Sequence, residues 1–235
     1  SGLYYSVLRA NPVGRRPQRG ESVAMAFKMF TLKGGFVDSA AVNDPFRFPF
    51  GANVMLPGLE RSISLLREGE KANILLPYYL AFGDITYERI PAYSAIRVEV
   101  ELLSIQNEAE QIETYTRGLV EPVSFVTPRG VRIVRLNSVQ GDTLGAGKLV
   151  GIFYTGKLLD GNQFDKGGFD YTTGSGGLIT GFDEGIRNLR SGEKALLIFP
   201  SSLAYGPAGV RNQQTGGFSI PPYAPLVFEV EATRK

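Results

Sequence analysis

Cysteine and histidine are both absent from this chain of 235 residues. Without cysteine there is no disulfide framework, no thiol nucleophile and no zinc–thiolate site. Without histidine there is no Ser-His-Asp triad, no imidazole base and no histidine-ligated metal or haem. Paired acidic residues at a metal-ligand spacing are also missing, so the sequence predicts no cofactor. No run of 18 apolar residues occurs, so no transmembrane helix is expected. An excess of either charge is lacking too: 25 basic and 23 acidic residues leave +2, which argues against a dedicated nucleic-acid binder. The cluster Arg15, Arg16, Arg19 reads as a solvated loop.

What is present is apolar and rich in turns. Hydrophobic residues are 43% of the chain and charged residues 20%, a composition that supports a packed core. The 29 glycines and 14 prolines exceed the usual share of about 12% and favour strands over a helical bundle.

The strongest signal is an internal repeat. Residues 58–83, GLERSISLLREGEKANILLPYYLAFG, align without a gap on residues 181–206, GFDEGIRNLRSGEKALLIFPSSLAYG; 12 of 26 positions are identical. The block Gly-Glu-Lys-Ala recurs at 69–72 and 192–195, and Ile90-Pro91 answers Ile220-Pro221. The spacing predicts two related domains, 1–105 and 129–235, joined by a linker at 106–128. That linker holds four glutamates and one arginine. It reads as a solvated connector, with a short polar helix beginning near Asn107.

Each domain reads as α+β. Val23–Phe30, Ala72–Leu76, Leu149–Gly156, Ala195–Phe199 and Leu226–Glu231 are strand-like, rich in β-branched and aromatic residues. Phe182, Ile186 and Leu189 lie at i, i+4 and i+7, with acids in the first turn and Gly192 beyond, which predicts one short amphipathic helix. Leu59, Ile63 and Leu66 repeat it. The helix is too short to persist alone and has to bury its stripe on the sheet. Asp160-Gly161 is a turn signal. Gly174–Gly177 lacks the Gly-Lys-Ser/Thr of a phosphate loop and reads as a turn.

Tyr154-Thr-Gly, Leu159-Asp-Gly, Phe164-Asp165, Gly192-Glu-Lys-Ala, Leu203-Ala-Tyr205-Gly206, Ile220-Pro-Pro and Leu226-Val-Phe-Glu-Val-Glu together resemble FKBP-type peptidyl-prolyl cis-trans isomerases. The resemblance covers nearly all of 130–235, and more loosely the first domain. It implies a curved antiparallel sheet wrapped around the helix, with an apolar pocket between them for a prolyl residue. It implies catalytic roles for Tyr154, Asp165 and Tyr205, and a binding wall of Phe164, Phe169, Tyr171, Leu178, Ile179, Ile220 and Phe228 over a floor of Phe182. It implies proline-containing polypeptide clients, macrolide ligands of the FK506 type, and a protein-folding role as rotamase or chaperone. For a bacterial tandem member it implies a periplasmic or cell-envelope location, lipid-anchored in the full-length form, with the cytoplasm as alternative.

Two departures bear on specificity. The segment from Asp165 to Phe169 is short for the family, and the loop 207–219 is long. In the first domain Phe27, Val37, Leu59, Phe82 and Val98 stand where the second has Tyr154, Phe164, Phe182, Tyr205 and Phe228. Two hydroxyls and three rings are lost, while Asp38 keeps the carboxylate. The expectation is a weak or inactive first domain that serves for binding, with a non-catalytic chaperone or assembly module as the alternative function.

Overall fold

A computed structural model describes residues 2–235. The chain divides into two compact units, Ser1–Asn107 and Glu108–Lys235.

The first unit runs β1 (Tyr4–Arg9), β2 (Ser22–Thr31), β3 (Phe36–Ala40), β4 (Phe46–Pro49), α1 (Pro57–Ile63), β5 (Lys71–Leu76) and β6 (Ile96–Gln106). Its antiparallel sheet has the order β1-β5-β6-β2-β3, and β4 also pairs with β2. β5 and β6 alternate buried and partly exposed residues, as a sheet with one covered face must. Leu59, Ile63 and Leu66 from α1 and the turn after it pack on Ala72, Ile74, Val98 and Val100.

The second unit runs α2 (Glu108–Arg117), β7 (Phe125–Val126), β8 (Arg132–Arg135), β9 (Leu149–Leu158), β10 (Gln163–Thr172), α3 (Thr180–Arg187), β11 (Glu193–Phe199), β12 (Val210–Arg211), β13 (Phe218–Ile220) and β14 (Leu226–Arg234). Its main sheet is antiparallel in the order β10-β9-β14-β11-β8-β7; β12 and β13 form a separate hairpin. α3 lies so close to the sheet that a Cβ on Gly181 would come within 2.5 Å of the Phe199 ring, and one on Gly185 within 2.5 Å of Leu197. The Asp160-Gly161 turn joins β9 to β10, closed by Leu158 and Asn162. The glycines at 174, 176 and 177 all adopt positive φ, the conformation that other residues avoid.

The structure corrects the solvated connector. Ile112 of α2 is buried and packs with Val134, Ile198 and Val227 on the outer face of the second sheet; Tyr115 and Leu119 lie against the same cluster. Glu108 accepts hydrogen bonds from the Ser201 N–H and Oγ at 2.6 and 2.7 Å. The short polar helix expected near Asn107 is α2, and it belongs to the second unit. Burying one apolar face suffices to hold a helix whose other faces are acidic.

The most strongly repeated block has a structural role in both units. Ala72 and Ala195 are core residues, whereas Lys71 and Lys194 are exposed. Glu70 accepts the N–H of Arg67 at 2.9 Å, and Glu193 that of Arg190 at 2.8 Å. Each carboxylate thus closes the turn between helix and strand, and the glycine before it adopts positive φ.

Candidate active site

In the second unit the helix and sheet meet across aromatic rings. β9 contributes Tyr154, β10 Phe164, Phe169 and Tyr171, α3 Phe182, and β14 Phe228. Phe182 and Phe228 meet edge to face at 5.0 Å, and Tyr154 approaches both, at 5.8 and 6.0 Å. Phe169 lies edge-on to Tyr154 at 5.7 Å, and Phe164 edge-on to Phe228 at 5.6 Å. Edge-to-face contacts at these distances are the favoured geometry for rings and add about 0.5–1.5 kcal/mol each beyond burial. Phe182, Phe228, Tyr171 and Ile220 are buried, while Tyr154, Phe164, Phe169, Leu178 and Ile179 are partly exposed. All nine belong to one apolar cluster, with a buried base and an open rim.

The local backbone explains how two neighbouring residues serve the site differently. β10 bulges between Gln163 and Asp165, so Phe164 is the extra residue and Asp165 stands opposite Gly156. Gly156 in turn stands opposite Phe228 on β14. A Cβ at Gly156 would lie 2.7 Å from the Phe164 ring and 2.8 Å from the Phe228 ring. The glycine leaves the space that these rings occupy.

Polar groups gather at the rim. The Tyr154 hydroxyl donates to Asp165 Oδ2 at 2.8 Å, and the Lys166 N–H to Asp165 Oδ1 at 2.8 Å. That hydrogen bond, with burial second, pushes the Tyr154 phenol up to about 12. Tyr205, 39% exposed, has its phenol raised by burial and then by the Asp165 charge. Tyr154, Asp165 and Tyr205 are thus electrostatically coupled. Behind the rim, the Tyr171 hydroxyl donates to Asp183 Oδ1 at 3.0 Å, and the same oxygen accepts the Gly174 N–H at 2.8 Å. Asp183 fixes both β10 and the glycine turn to α3.

Every second-domain residue singled out from the sequence lies in this cluster or at its rim. Three further contributors have weaker signals. Gly156 has no side chain to notice. Asp183 looks like an ordinary first-turn acid. Phe199 stacks on Phe228 at 5.8 Å and 9°, but reads as one more apolar residue of a strand.

The first unit repeats the frame. β3 bulges at Val37, placing Asp38 opposite Met29, and Met29 stands opposite Val98. The Ser39 N–H donates to Asp38 Oδ1 at 2.7 Å, matching Lys166 and Asp165. Phe27 has no hydroxyl for the second oxygen. Register also places Phe46 and Phe48 where Phe169 and Tyr171 stand: Phe46 is opposite Met25 as Phe169 is opposite Ile152, and Phe48 opposite Val23 as Tyr171 is opposite Val150. Phe27 and Phe46 meet edge to face at 6.2 Å. Two rings therefore remain in the first unit, at the same 123-residue offset that aligns residues 58–83 with 181–206. Met29, in place of the glycine, is buried in the core.

Among the described residues no group of three metal-ligating side chains occurs, and no helix is long and apolar enough to cross a membrane.

The family model described as FKBP-type peptidyl-prolyl cis-trans isomerase matches residues 14–103 and 141–233. The human peptidyl-prolyl cis-trans isomerase FKBP10 is 31% identical over 233 residues, which is 96% of this chain and 36% of that protein. FK506-binding protein 1 of Candida glabrata is 43% identical over 108 residues, 43% of this chain and 90% of that protein. A crystal structure of the three FKBP domains of wheat FKBP73 aligns over 99% of this chain and 94% of that chain, at a TM-score of 0.46 and 20% identity. The chain spans about a third of the length of FKBP10.

Proposed function

The chain belongs to the FKBP-type peptidyl-prolyl cis-trans isomerase family, and from that premise we propose that its second unit isomerises prolyl bonds while the first unit binds with little or no turnover. One observation carries the division. The second unit gathers aromatic rings around Gly156, with the Tyr154–Asp165 hydrogen bond beside them. The first fills the matching space with Met29 and has Val37, Leu59 and Val98 in place of three rings.

Rotation about a peptide C–N bond faces a barrier of about 18–20 kcal/mol from amide resonance. An X-Pro bond left alone crosses it in roughly tens to hundreds of seconds. Twisting removes resonance, so the charge separation between oxygen and nitrogen falls at the transition state. A dry aromatic cup favours that less polar state over the planar amide. Only such differential binding accelerates, by about tenfold for each 1.4 kcal/mol. In this reading Phe182 and Phe228 underlie the prolyl ring, Ile220 and Phe169 wall it, and the Tyr205 hydroxyl donates to a client carbonyl. Asp165 holds Tyr154 in place, and no proton is transferred.

A pH profile follows. The raised phenols of Tyr154 and Tyr205 stay protonated, and the chain has no histidine. kcat/KM on an uncharged peptide is expected to be flat from about pH 6 to 9, where ordinary carboxylates and phenols do not titrate. A bell-shaped profile in that range would remove the proton-free mechanism.

The division is tested in the full chain by exchanging single floor residues. Phe182→Leu, which installs the residue of the first unit, is expected to lower kcat/KM on a Leu-Pro peptide about tenfold. Leu59→Ala is expected to leave it unchanged. The opposite pattern would assign turnover to the first unit. A chain that binds prolyl peptides in both forms but accelerates neither is the non-catalytic module.

A further inference from the structure

Between Phe199 and Phe228 the chain carries a single charged residue, Arg211. It stands on the hairpin of β12 and β13, part of the long loop whose purpose the resemblance leaves open. The hairpin is tied to the site wall at its base. The Gly209 N–H donates to the Tyr205 carbonyl at 3.3 Å. A Cβ on Gly209 would come within 2.4 Å of the Ile220 carbonyl oxygen, so the strand cannot move away from that wall without losing close packing. Val210 pairs with Ile220 and packs on the same apolar cluster.

The tip is tied as well. Asn212 Oδ1 accepts the N–H groups of Gln214 and Thr215, and the Asn212 N–H donates to the Gly217 carbonyl at 2.9 Å. Between base and tip, the Arg211 guanidinium lies over the Phe218 ring at 4.7 Å. Among the described residues Arg211 has no carboxylate partner. A planar cation held on a ring gives up less side-chain freedom when it meets a carboxylate. Asp165, on the β9–β10 side of the rim, supplies charge of the opposite sign.

Resting on the isomerase reading above, we infer that Arg211 is a specificity-determining residue that favours clients with an acidic side chain beside the prolyl bond. The pair would form at the surface, where single ion pairs are weak, so it sorts clients without dominating their binding.

The test uses the full chain and acetylated, amidated hexapeptides with one central Leu-Pro bond, carrying Glu, Gln or Lys at either flank. Isomerisation is followed by exchange NMR. At low salt the wild type is expected to show a kcat/KM for one Glu peptide about threefold above its Gln counterpart, with the Lys peptide below both. Arg211→Gln is expected to bring the Glu-to-Gln ratio to about one, and Arg211→Lys to leave it in between. About 0.5 M salt is expected to erase the preference through screening. A wild-type ratio of one at both flanks, or a ratio that Arg211→Gln leaves intact, overturns the inference while the isomerase reading stands. Acceleration of no peptide at all overturns that reading first, and this one with it.

Discussion

Gly156→Met is expected to lower kcat/KM for prolyl isomerisation about a hundredfold, the largest loss from any single exchange at the site. The reason is spatial. A first side-chain atom at Gly156 already comes within 2.8 Å of the Phe164 and Phe228 rings. Either those rings swing aside or the methionine occupies the place of the client ring. The substitution copies the first unit, where Met29 sits at the same register and is buried in the core. Overpacking of this kind costs about 1–3 kcal/mol of stability, so the variant should still fold in the cold. A hundredfold loss corresponds to about 2.7 kcal/mol of transition-state binding. Two measurements separate obstruction from unfolding. Amide protection in β9 and β14 reports the fold, and exchange NMR reports turnover. Full turnover in a folded Gly156→Met chain would show that the cup is not where the bond rotates. The reciprocal exchange, Met29→Gly, opens space but supplies no rings, and should gain no measurable activity.

Those two positions also show what a sequence reveals and what it hides. The aromatic walls were legible through the family resemblance alone, since rings in strands by themselves read as ordinary core, and the repeat located the helix and the closing strands in both halves. Gly156 was not, because its contribution is the absence of a side chain. Phe46 and Phe48 lie at the 123-residue offset of the repeated block, on Phe169 and Tyr171, and the hydrogen-bonded register agrees, setting them opposite Met25 and Val23. α2 was read as solvated because the segment 106–128 holds four glutamates and one arginine, yet one buried Ile112 and the Glu108–Ser201 hydrogen bonds decide its position. The hairpin at 210–220 has strands of only two and three residues, too short for any alternation to show. In α2 the composition of the whole segment concealed a single buried contact.

Glu193→Ala is expected to destabilise the second unit by about 3–5 kcal/mol, a large part of what a domain of this size has in total. Glu193 is fully buried. Its carboxylate meets Arg135 Nε at 2.7 Å, accepts the Arg190 N–H at 2.8 Å and lies 3.5 Å from Arg190 Nη1. Removing it strands a partly buried guanidinium on β8 and an unpaired backbone donor in the turn between α3 and β11. Both costs arise together, because burial makes the lost partner irreplaceable by protein and only slowly replaceable by water. The equivalent Glu70 accepts the N–H groups of Arg67 and Asn11, and among the described residues it has no arginine side chain comparable to Arg135. Glu70→Ala should therefore cost less, about 1–3 kcal/mol for the unsatisfied donors. Because two units unfold in one chain, a single midpoint is not a valid readout; hydrogen exchange of β11 and β14 against β5 and β6 resolves them. Equal losses in both units, or a loss at Glu193 no larger than at the exposed Glu229, would mean that the recurrence of the Gly-Glu-Lys-Ala block reflects the glycine turn alone. Loss confined to the second unit, with β5 and β6 protection intact, would identify the Glu193 carboxylate as what holds α3, and with it Phe182, at its distance from β11.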